Sequence, residues 1–241
     1  MTNLFGEFFG TMVLMIFGCG VVANCLLKKS KAEGAGWMVI VTGWGFAVIM
    51  GVFSAIAAGA PQADLNPAVT LAKTMLGVYS VQHAIATMLA ELFGGIVGAA
   101  VVWLAFLPHW EITEDKGAKL GIFCTAPAIR NAPANLLCEI IGTIMLIVPI
   151  FAIFSKPVGG IAPGMGPYLV GILVWAIGLS LGGPTGYAIN PARDLGPRIA
   201  HAILPIAGKG GSDWEYSWIP VVGPLIGGGL AYAIAKGSGI I

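Results

Sequence analysis

Long apolar segments, separated by short polar or glycine- and proline-rich stretches, run through most of this chain. Each segment has about twenty residues, which is the length that an α-helix needs to cross the hydrocarbon layer of a bilayer. Strands of a membrane β-barrel would instead alternate apolar and polar residues over about ten positions. The pattern therefore predicts six transmembrane helices, at about 4–27, 37–60, 82–107, 135–154, 167–186 and 217–236.

Two further apolar segments, at about 66–76 and 190–204, are too short to cross a bilayer. Both begin with the same tripeptide, Asn66-Pro67-Ala68 in the first and Asn190-Pro191-Ala192 in the second. Asn is a favoured N-cap residue and Pro is favoured at the first helical position. Each motif therefore predicts the start of a half-helix.

The two halves of the chain repeat one another. Glu7-Phe8-Phe9-Gly10-Thr11 opens the first predicted span and Glu139-Ile140-Ile141-Gly142-Thr143 opens the fourth, and each is followed two spans later by its own Asn-Pro-Ala. An odd number of spans per half inverts the second copy in the membrane. We therefore expect one transmembrane domain over 1–241, with repeat one at about 1–107, a linking loop at about 108–133 and repeat two at about 134–241.

In an inverted repeat the two half-helices would enter from opposite faces and meet near the midplane. Their positive dipole ends would then point at one place, an arrangement that excludes protons and cations from water-conducting pores. Asn66 and Asn190 could donate hydrogen bonds to a passing hydroxyl, while Ala68 and Ala192 are small enough to let the ends touch. A single Asn-Pro-Ala could be a plain helix cap, but two copies at equivalent places favour a pore.

Arg193 follows Asn190 by three residues, so its guanidinium can face the same side of the path. An Arg at membrane depth is costly and is usually functional. An interfacial Arg that reaches the lipid headgroups is the competing interpretation, and it suits Arg198 better than Arg193.

Composition agrees with the span pattern and narrows the function. The chain is 57% hydrophobic and 10% charged with a mean hydropathy of +0.90, whereas soluble domains carry about a quarter charged residues. The net charge of +1 gives no indication of nucleic-acid binding. We expect no cofactor and no metal site, because His83, His109 and His201 lie apart from other ligand residues. Nothing indicates an enzyme.

At this point the chain resembles the aquaporin superfamily, and within it the bacterial aquaglyceroporins or glycerol uptake facilitators. The resemblance covers essentially the whole chain and is strongest at 65–70 and 183–198. Asp194 and the loop segment Phe123-Cys124-Thr125-Ala126-Pro127 are similar to the glycerol-conducting branch. The resemblance implies an all-α right-handed bundle of six transmembrane helices and two re-entrant half-helices, assembled as a homotetramer in the lipid bilayer. It implies a passive channel for glycerol, water and similar small uncharged solutes.

The resemblance also implies a selectivity filter made of Trp44, Gly178, Tyr187 and Arg193. Trp44 and Tyr187 would contact the carbon backbone of glycerol, Arg193 would bind its hydroxyls, and Gly178 would leave room for a three-carbon solute. The interval from Trp44 to Asn66 is about two residues longer than in the family, so Phe46 is the alternative to Trp44.

The remaining polar residues of the spans receive supporting roles from the resemblance. Glu7 and Glu139, together with Asp194, would hold the re-entrant loops by accepting hydrogen bonds. Glu91 either plays a similar part or faces a subunit contact. Asp64 stands where the family commonly has His, and both a gating role and a helix-capping role are open for it.

The distribution of basic residues and the family resemblance predict opposite orientations of the chain in the membrane. Nine basic residues fall on one side and three on the other, namely Lys28, Lys29, Lys31, Lys116, Lys119, Arg130, Arg193, Arg198 and Lys209 against Lys73, Lys156 and Lys236. The positive-inside rule would place the first group in the cytoplasm. The resemblance implies the opposite, a multi-pass protein of the inner (plasma) membrane with both termini cytoplasmic.

Two alternatives to glycerol conduction are open. The same channel could carry mainly protonated lactic acid, dihydroxyacetone or urea, which need a similar bore. A secondary active transporter also uses inverted repeats and broken helices, but it would need a titratable group beside the solute. The only charge expected in the middle of the path is Arg193, which does not release its proton.

Overall fold

The computed structural model describes residues 2–241, and within this range the regular structure is entirely helical. Residues 2–241 form ten α-helices, numbered in chain order, with a 3₁₀ turn at Lys156–Val158 between the seventh and the eighth. They are α1 (Leu4–Leu26), α2 (Trp37–Ala57), α3 (Pro67–Met75), α4 (Val81–Ala105), α5 (Leu107–Ile112), α6 (Lys116–Phe123), α7 (Ala132–Ile153), α8 (Met165–Leu181), α9 (Pro191–Ile203) and α10 (Ile219–Gly237).

Five of these helices, α1, α2, α4, α7 and α10, are long and apolar enough to cross a membrane. The sixth predicted span corresponds to α8, which is apolar but has only 17 residues, the lower end of the length that spans a bilayer. Its predicted end at 186 was wrong, because the helix stops before Gly182-Gly183-Pro184, where glycine and proline disfavour helix. The prediction of an all-α membrane bundle is confirmed.

The linking segment at 108–133 contains two short helices, α5 and α6, which the sequence pattern did not predict. Asp115 begins α6 by accepting a hydrogen bond from the Ala118 N–H at 2.9 Å. The side chain of Trp110 is buried, and its indole N–H donates to the Trp103 carbonyl at 2.9 Å. This segment is therefore folded onto the end of the bundle.

The two half-helices are held by the opposite halves of the chain. α3, from the first half, packs against α10, and α9, from the second half, packs against α4. Glycine makes both approaches possible, because a Cβ atom at Gly95 would lie 2.8 Å from the Ala192 carbonyl oxygen. A Cβ at Gly228 would lie 2.7 Å from the Ala68 carbonyl oxygen. The start of each half-helix is thus fixed by a helix of the other half.

Candidate functional site

Both half-helices begin at the motifs that predicted them. The Asn66 side-chain oxygen accepts a hydrogen bond from the Ala68 N–H at 2.9 Å. The Asn190 oxygen accepts from Ala192 at 3.0 Å and from Arg193 at 3.2 Å. Proline occupies the first helical position in each case, where no backbone hydrogen bond is lost.

The two motifs are joined across the centre of the molecule by their side-chain amides. The Asn66 amide donates to the Ile189 carbonyl at 2.8 Å, and the Asn190 amide donates to the Leu65 carbonyl at 2.7 Å. A carboxamide has two N–H groups. Each Asn therefore keeps one donor beyond this cross-link, and both residues line the central cavity.

The backbone before each motif adopts an unusual conformation. Ala63 and Leu65 precede the first motif with φ of 43° and 51°, and Tyr187 and Ile189 precede the second with φ of 39° and 43°. Positive φ is uncommon for residues with a Cβ and is an outlier for a β-branched residue such as Ile189. Such strain persists only where surrounding contacts hold it.

Buried glutamates make those contacts in both halves. Glu7 accepts from the N–H groups of Asp64 at 3.2 Å and Leu65 at 3.0 Å. Glu139 accepts from Ala188 at 3.1 Å and Ile189 at 2.9 Å. Each carboxylate thus satisfies two backbone donors that a regular helix or strand would otherwise pair.

A cavity of about 200 Å³ runs from the surface near the end of α7 to Arg193. Much of its lining is apolar and comes from side chains on α1, α2, α3, α7 and α8. The backbone segments 61–66 and 187–190 also line it and bring the polar residues Gln62, Asp64, Asn66 and Asn190. The apolar lining includes Leu14, Val48, Val52, Ile56, Val69, Leu146, Ile150, Phe154, Val170 and Val174.

Arg193 and Trp44 lie together at the inner end of this cavity. The guanidinium carbon of Arg193 lies 4.0 Å from the centroid of the Trp44 ring, and its Nη1 makes a long contact of 3.5 Å with the Phe123 carbonyl. Trp44 is 4% exposed and lines the cavity, whereas Phe46 is 59% exposed on the outside of the bundle. The geometry therefore favours Trp44 over Phe46.

Tyr187 occupies the space that the missing side chain of Gly178 leaves. A Cβ at Gly178 would lie 2.8 Å from both Cζ and Oη of Tyr187, and 2.9 Å from Val41. The ring packs edge to face with Trp37 at a centroid distance of 6.0 Å, and its hydroxyl has no hydrogen-bond partner within residues 2–241. Tyr187 lines the cavity but Gly178 does not, so Gly178 acts on the bore through the tyrosine ring.

Asp194 forms a buried ion pair with Arg198, and both side chains are fully buried. Asp194 accepts from the Thr125 N–H and hydroxyl, each at 2.7 Å, and from Arg198 Nε at 2.9 Å. Arg198 also donates to the carbonyls of Ser212 at 2.8 Å, Asp213 at 3.0 Å and Thr125 at 3.0 Å. The interpretation of Arg198 as an interfacial arginine was wrong, because it ties two loops to α9.

The end of α9 is held by Lys209 from the following loop. Its ammonium donates to the carbonyls of His201 at 2.6 Å, Ala202 at 2.7 Å and Leu204 at 2.6 Å. These are carbonyls that a helix end leaves without an intrahelical partner. Burial lowers the pKa of Lys209, while the position of the charge complements the negative end of the helix dipole.

Asp64 and Lys73 form an ion pair in the wall of the cavity mouth. Lys73 also donates to the Gln62 carbonyl at 2.9 Å. Asn66 caps α3, and the Asp64 carboxylate contacts Thr70 and Lys73 instead. Arg193 is thus not the only charged residue along the path. The sequence did not predict the role of Lys73, because a spacing of nine residues from Asp64 does not indicate a contact between the two side chains.

Comparison with known proteins is consistent across sequence and structure. The model of the family described as Major intrinsic protein matches residues 1–234. A probable glycerol uptake facilitator protein of Thermotoga maritima is 52% identical over 234 residues, covering 97% of this chain and 98% of its own length. Glycerol uptake facilitator protein 3 of Lactiplantibacillus plantarum is 54% identical over 228 residues, with coverage of 95% and 93%.

A solved structure agrees with the observed fold. The aquaglyceroporin from Plasmodium falciparum superposes with a TM-score of 0.82 at 28% sequence identity. The match covers 97% of this chain and 94% of that one. The bundle with its two half-helices is therefore shared over nearly the full length of both proteins.

Proposed function

Since the chain belongs to the major intrinsic protein family, we propose that it is a passive membrane channel for glycerol, water and similar small uncharged solutes. The observation that carries this proposal is the cavity whose lining combines apolar side chains with polar groups and includes Arg193 and Trp44. Glycerol has a carbon chain along one edge and three hydroxyls along the other. The apolar lining accommodates the carbon edge, and the polar groups supply partners for the hydroxyls.

The filter lies where Arg193 and Trp44 line the cavity. Arg193 presents guanidinium N–H donors, and its guanidinium carbon lies over the Trp44 ring at 4.0 Å from the centroid. With Tyr187 on the same cavity wall, these side chains form a corner that binds hydroxyls on one side and carbon on the other. Gly178 allows the Tyr187 ring to withdraw from the path, which keeps the bore wide enough for a three-carbon solute.

Ions and protons are excluded by fixed positive potential. The N-terminal ends of α3 and α9 carry partial positive charge toward the meeting point, and Arg193 adds a full charge nearby. Asn66 and Asn190 each retain one N–H that can donate to a solute oxygen. A water molecule bound there accepts from the protein, so its own hydrogens point away and a proton wire is interrupted.

Glu7, Glu139 and Asp194 support this site without touching the solute. The two glutamates hold the strained segments before the motifs, and Asp194 holds Arg198 and Thr125 beside the filter. This division suits an inverted repeat with one copy at about 1–107 and the other at about 134–241, joined by the segment between them.

We further propose that the channel is a homotetramer in the inner membrane with both termini in the cytoplasm, and that it catalyses no reaction. The exposed faces of the spanning helices are rich in large apolar side chains, as lipid and subunit contacts require. Side-specific labelling of cysteines introduced near Lys28 and Lys156 tests the orientation. Chemical cross-linking in native membranes tests the tetramer.

Stopped-flow light scattering on proteoliposomes tests the function, with glycerol, water, urea and lactic acid as solutes. Glycerol flux is expected to exceed that of empty liposomes and to be independent of proton and sodium gradients. Uptake that requires such a gradient would overturn the channel. Fast water flux with no glycerol flux would overturn the glycerol assignment, and lactic acid flux faster than glycerol flux would identify the other cargo.

Two arginine substitutions test the role of Arg193 in the filter. Arg193→Ala is expected to reduce discrimination among these solutes and to admit small cations, because it removes the full positive charge beside Trp44. Arg130→Ala is the matched control, since Arg130 is exposed, pairs with Asp213, and is not among the residues that line the cavity. Equal effects of the two substitutions would contradict the role of Arg193.

A further inference from the structure

Three carboxyl groups are buried close to the first Asn-Pro-Ala motif: Glu7, Asp64 and Glu91. One cation, Lys73, pairs with them in the part of the chain that the structure describes. A buried ionised carboxylate needs hydrogen-bond donors or a cation to offset its lost hydration. Counting the hydrogens available to each group therefore indicates which of the three are ionised.

Glu7 has enough donors to be ionised. The Thr2 hydroxyl donates to Oε1 at 2.7 Å and the Asp64 N–H donates to the same oxygen at 3.2 Å. The Leu65 N–H donates to Oε2 at 3.0 Å. Its counterpart in repeat two, Glu139, has the same set of one hydroxyl and two backbone N–H groups.

Asp64 also has partners that suit a carboxylate. Oδ1 is paired with the Lys73 ammonium, and the Thr70 hydroxyl lies 2.9 Å from Oδ2. The Lys73 side chain is 16% exposed, and that of Asp64 is fully buried. The ammonium charge at contact distance offsets the negative charge of the Asp64 carboxylate.

Glu91 differs from both because its one close donor is already shared. Its Oε1 lies 2.9 Å from the same Thr70 hydroxyl, and its Oε2 has no close partner within residues 2–241. The backbone N–H of Asn66 makes only a weaker contact with this carboxyl. A hydroxyl has one hydrogen and cannot donate to both Asp64 and Glu91. One of the two carboxyls must supply a proton of its own.

Since Asp64 is paired with a cation and Glu91 is not, the geometry assigns that proton to Glu91. We propose that Glu91 is a neutral positioning residue that donates to Thr70, while Thr70 donates to Asp64 and Lys73 completes the chain. This chain ties α4 to the first turns of α3 and so fixes Asn66. Its consequence for conduction rests on the proposed channel function.

The repeat itself sets Glu91 apart. Four residues after the motif Asn, repeat one has Thr70 and repeat two has Asp194, which pairs with Arg198. Gly95 and Gly228 occupy equivalent places against the two motifs, and four residues before them stand Glu91 and Pro224. Repeat one thus adds a protonated acid to the Asp64–Lys73 ion pair at its half-helix, whereas the half-helix of repeat two carries the fully buried ion pair of Asp194 and Arg198. Glu91 is fully buried, which excludes the alternative of a subunit contact.

Infrared spectroscopy of proteoliposomes at neutral pH tests the protonation directly. The unsubstituted protein is expected to show the carbonyl stretch of a protonated carboxylic acid, shifted on exchange into D₂O. Glu91→Gln is expected to remove this band, and Glu33→Gln, at an exposed carboxyl paired with Lys28, is expected to retain it. A band that survives in Glu91→Gln, or that is lost in Asp64→Asn but not in Glu91→Gln, would overturn the assignment.

Flux and a second spectroscopic variant test the positioning role. A Gln side chain can donate an amide N–H to Thr70, so Glu91→Gln is expected to keep glycerol flux within about twofold of the unsubstituted protein. Glu91→Ala leaves Thr70 without this donor and is expected to lower flux roughly tenfold.

Thr70→Val removes the acceptor and is expected to shift the acid band. Equal flux in the Gln and Ala variants, or an unmoved band in Thr70→Val, would contradict the proposal. The band does not depend on which solute the channel carries, so a failure of the glycerol assignment would leave this test intact.

Discussion

Replacement of Arg198 by Met tests whether the Asp194 ion pair holds the second half-helix in place. The substitution keeps an apolar stem of similar length but removes every guanidinium donor. It leaves Asp194 fully buried without its cation. It also removes the donors that three carbonyl oxygens accept from, those of Thr125, Ser212 and Asp213.

The magnitude follows from these contacts. Loss of one partner from a buried ion pair costs about 3–5 kcal/mol, because the remaining charge stays buried without compensation. Asp194 keeps its two Thr125 donors, at 2.7 Å each, which moderates the loss toward the lower end of that range. We therefore expect Arg198→Met to lower the free energy of unfolding by about 3 kcal/mol or more.

Arg130→Met is the matched control for this experiment. Arg130 pairs with Asp213 on the same face of the molecule, but its side chain is 57% exposed. An exposed pair contributes less than about 1 kcal/mol. Denaturant unfolding of both variants in the same detergent compares them, and glycerol flux in proteoliposomes reports the position of Arg193. Equal stability of the two variants would refute the reasoning that Arg198 anchors the half-helix.

Three further substitutions probe the filter and its support. Gly178→Ala is expected to push the Tyr187 ring into the cavity, because the new Cβ would lie 2.8 Å from the tyrosine Cζ. Glycerol flux should then fall more than water flux in stopped-flow assays. Equal reductions of the two fluxes would contradict this prediction. Tyr187→Phe is expected to change stability by less than about 1 kcal/mol in a thermal melt, since the hydroxyl has no partner within residues 2–241. Lys209→Met is expected to increase hydrogen exchange at the end of α9, because three carbonyls lose their donor, whereas an unchanged exchange pattern would show that the cap is dispensable.

Local chemistry explains why so much of the fold could be predicted from the sequence. Apolar runs of span length, Asn at the cap and Pro at the first helical position are short-range signals. These signals predicted the residue at which each half-helix begins, and they predicted the bounds of the spans to within a few residues. The end of α8 was predicted too late because apolarity alone does not mark where Gly182 and Pro184 end a helix.

Contacts between distant segments could not be predicted in the same way. The amide of Asn66 meets the carbonyl of Ile189, 123 residues away, and nothing in either neighbourhood specifies that bond. The burial of Arg198 had one local signal, its spacing of four residues from Asp194 on the same helical face. Lys73 and Glu91 had none, because their partners come from a loop and from another helix.

The two halves of the chain meet one physical requirement with different chemistry. Each half must hold a strained backbone segment and the helix start that follows it, in surroundings where water cannot satisfy loose polar groups. Both use a buried glutamate on the first helix of the half, Glu7 or Glu139, for the strained segment. For the half-helix itself, the second half uses the Asp194–Arg198 pair, while the first half combines the Asp64–Lys73 pair with Thr70 between two carboxyls. A charged pair keeps its strength over a wide pH range, whereas a hydrogen bond from a neutral acid lasts only while the acid keeps its proton. A loss of conduction at alkaline pH that follows from deprotonation of Glu91 is therefore expected to be absent in Glu91→Gln.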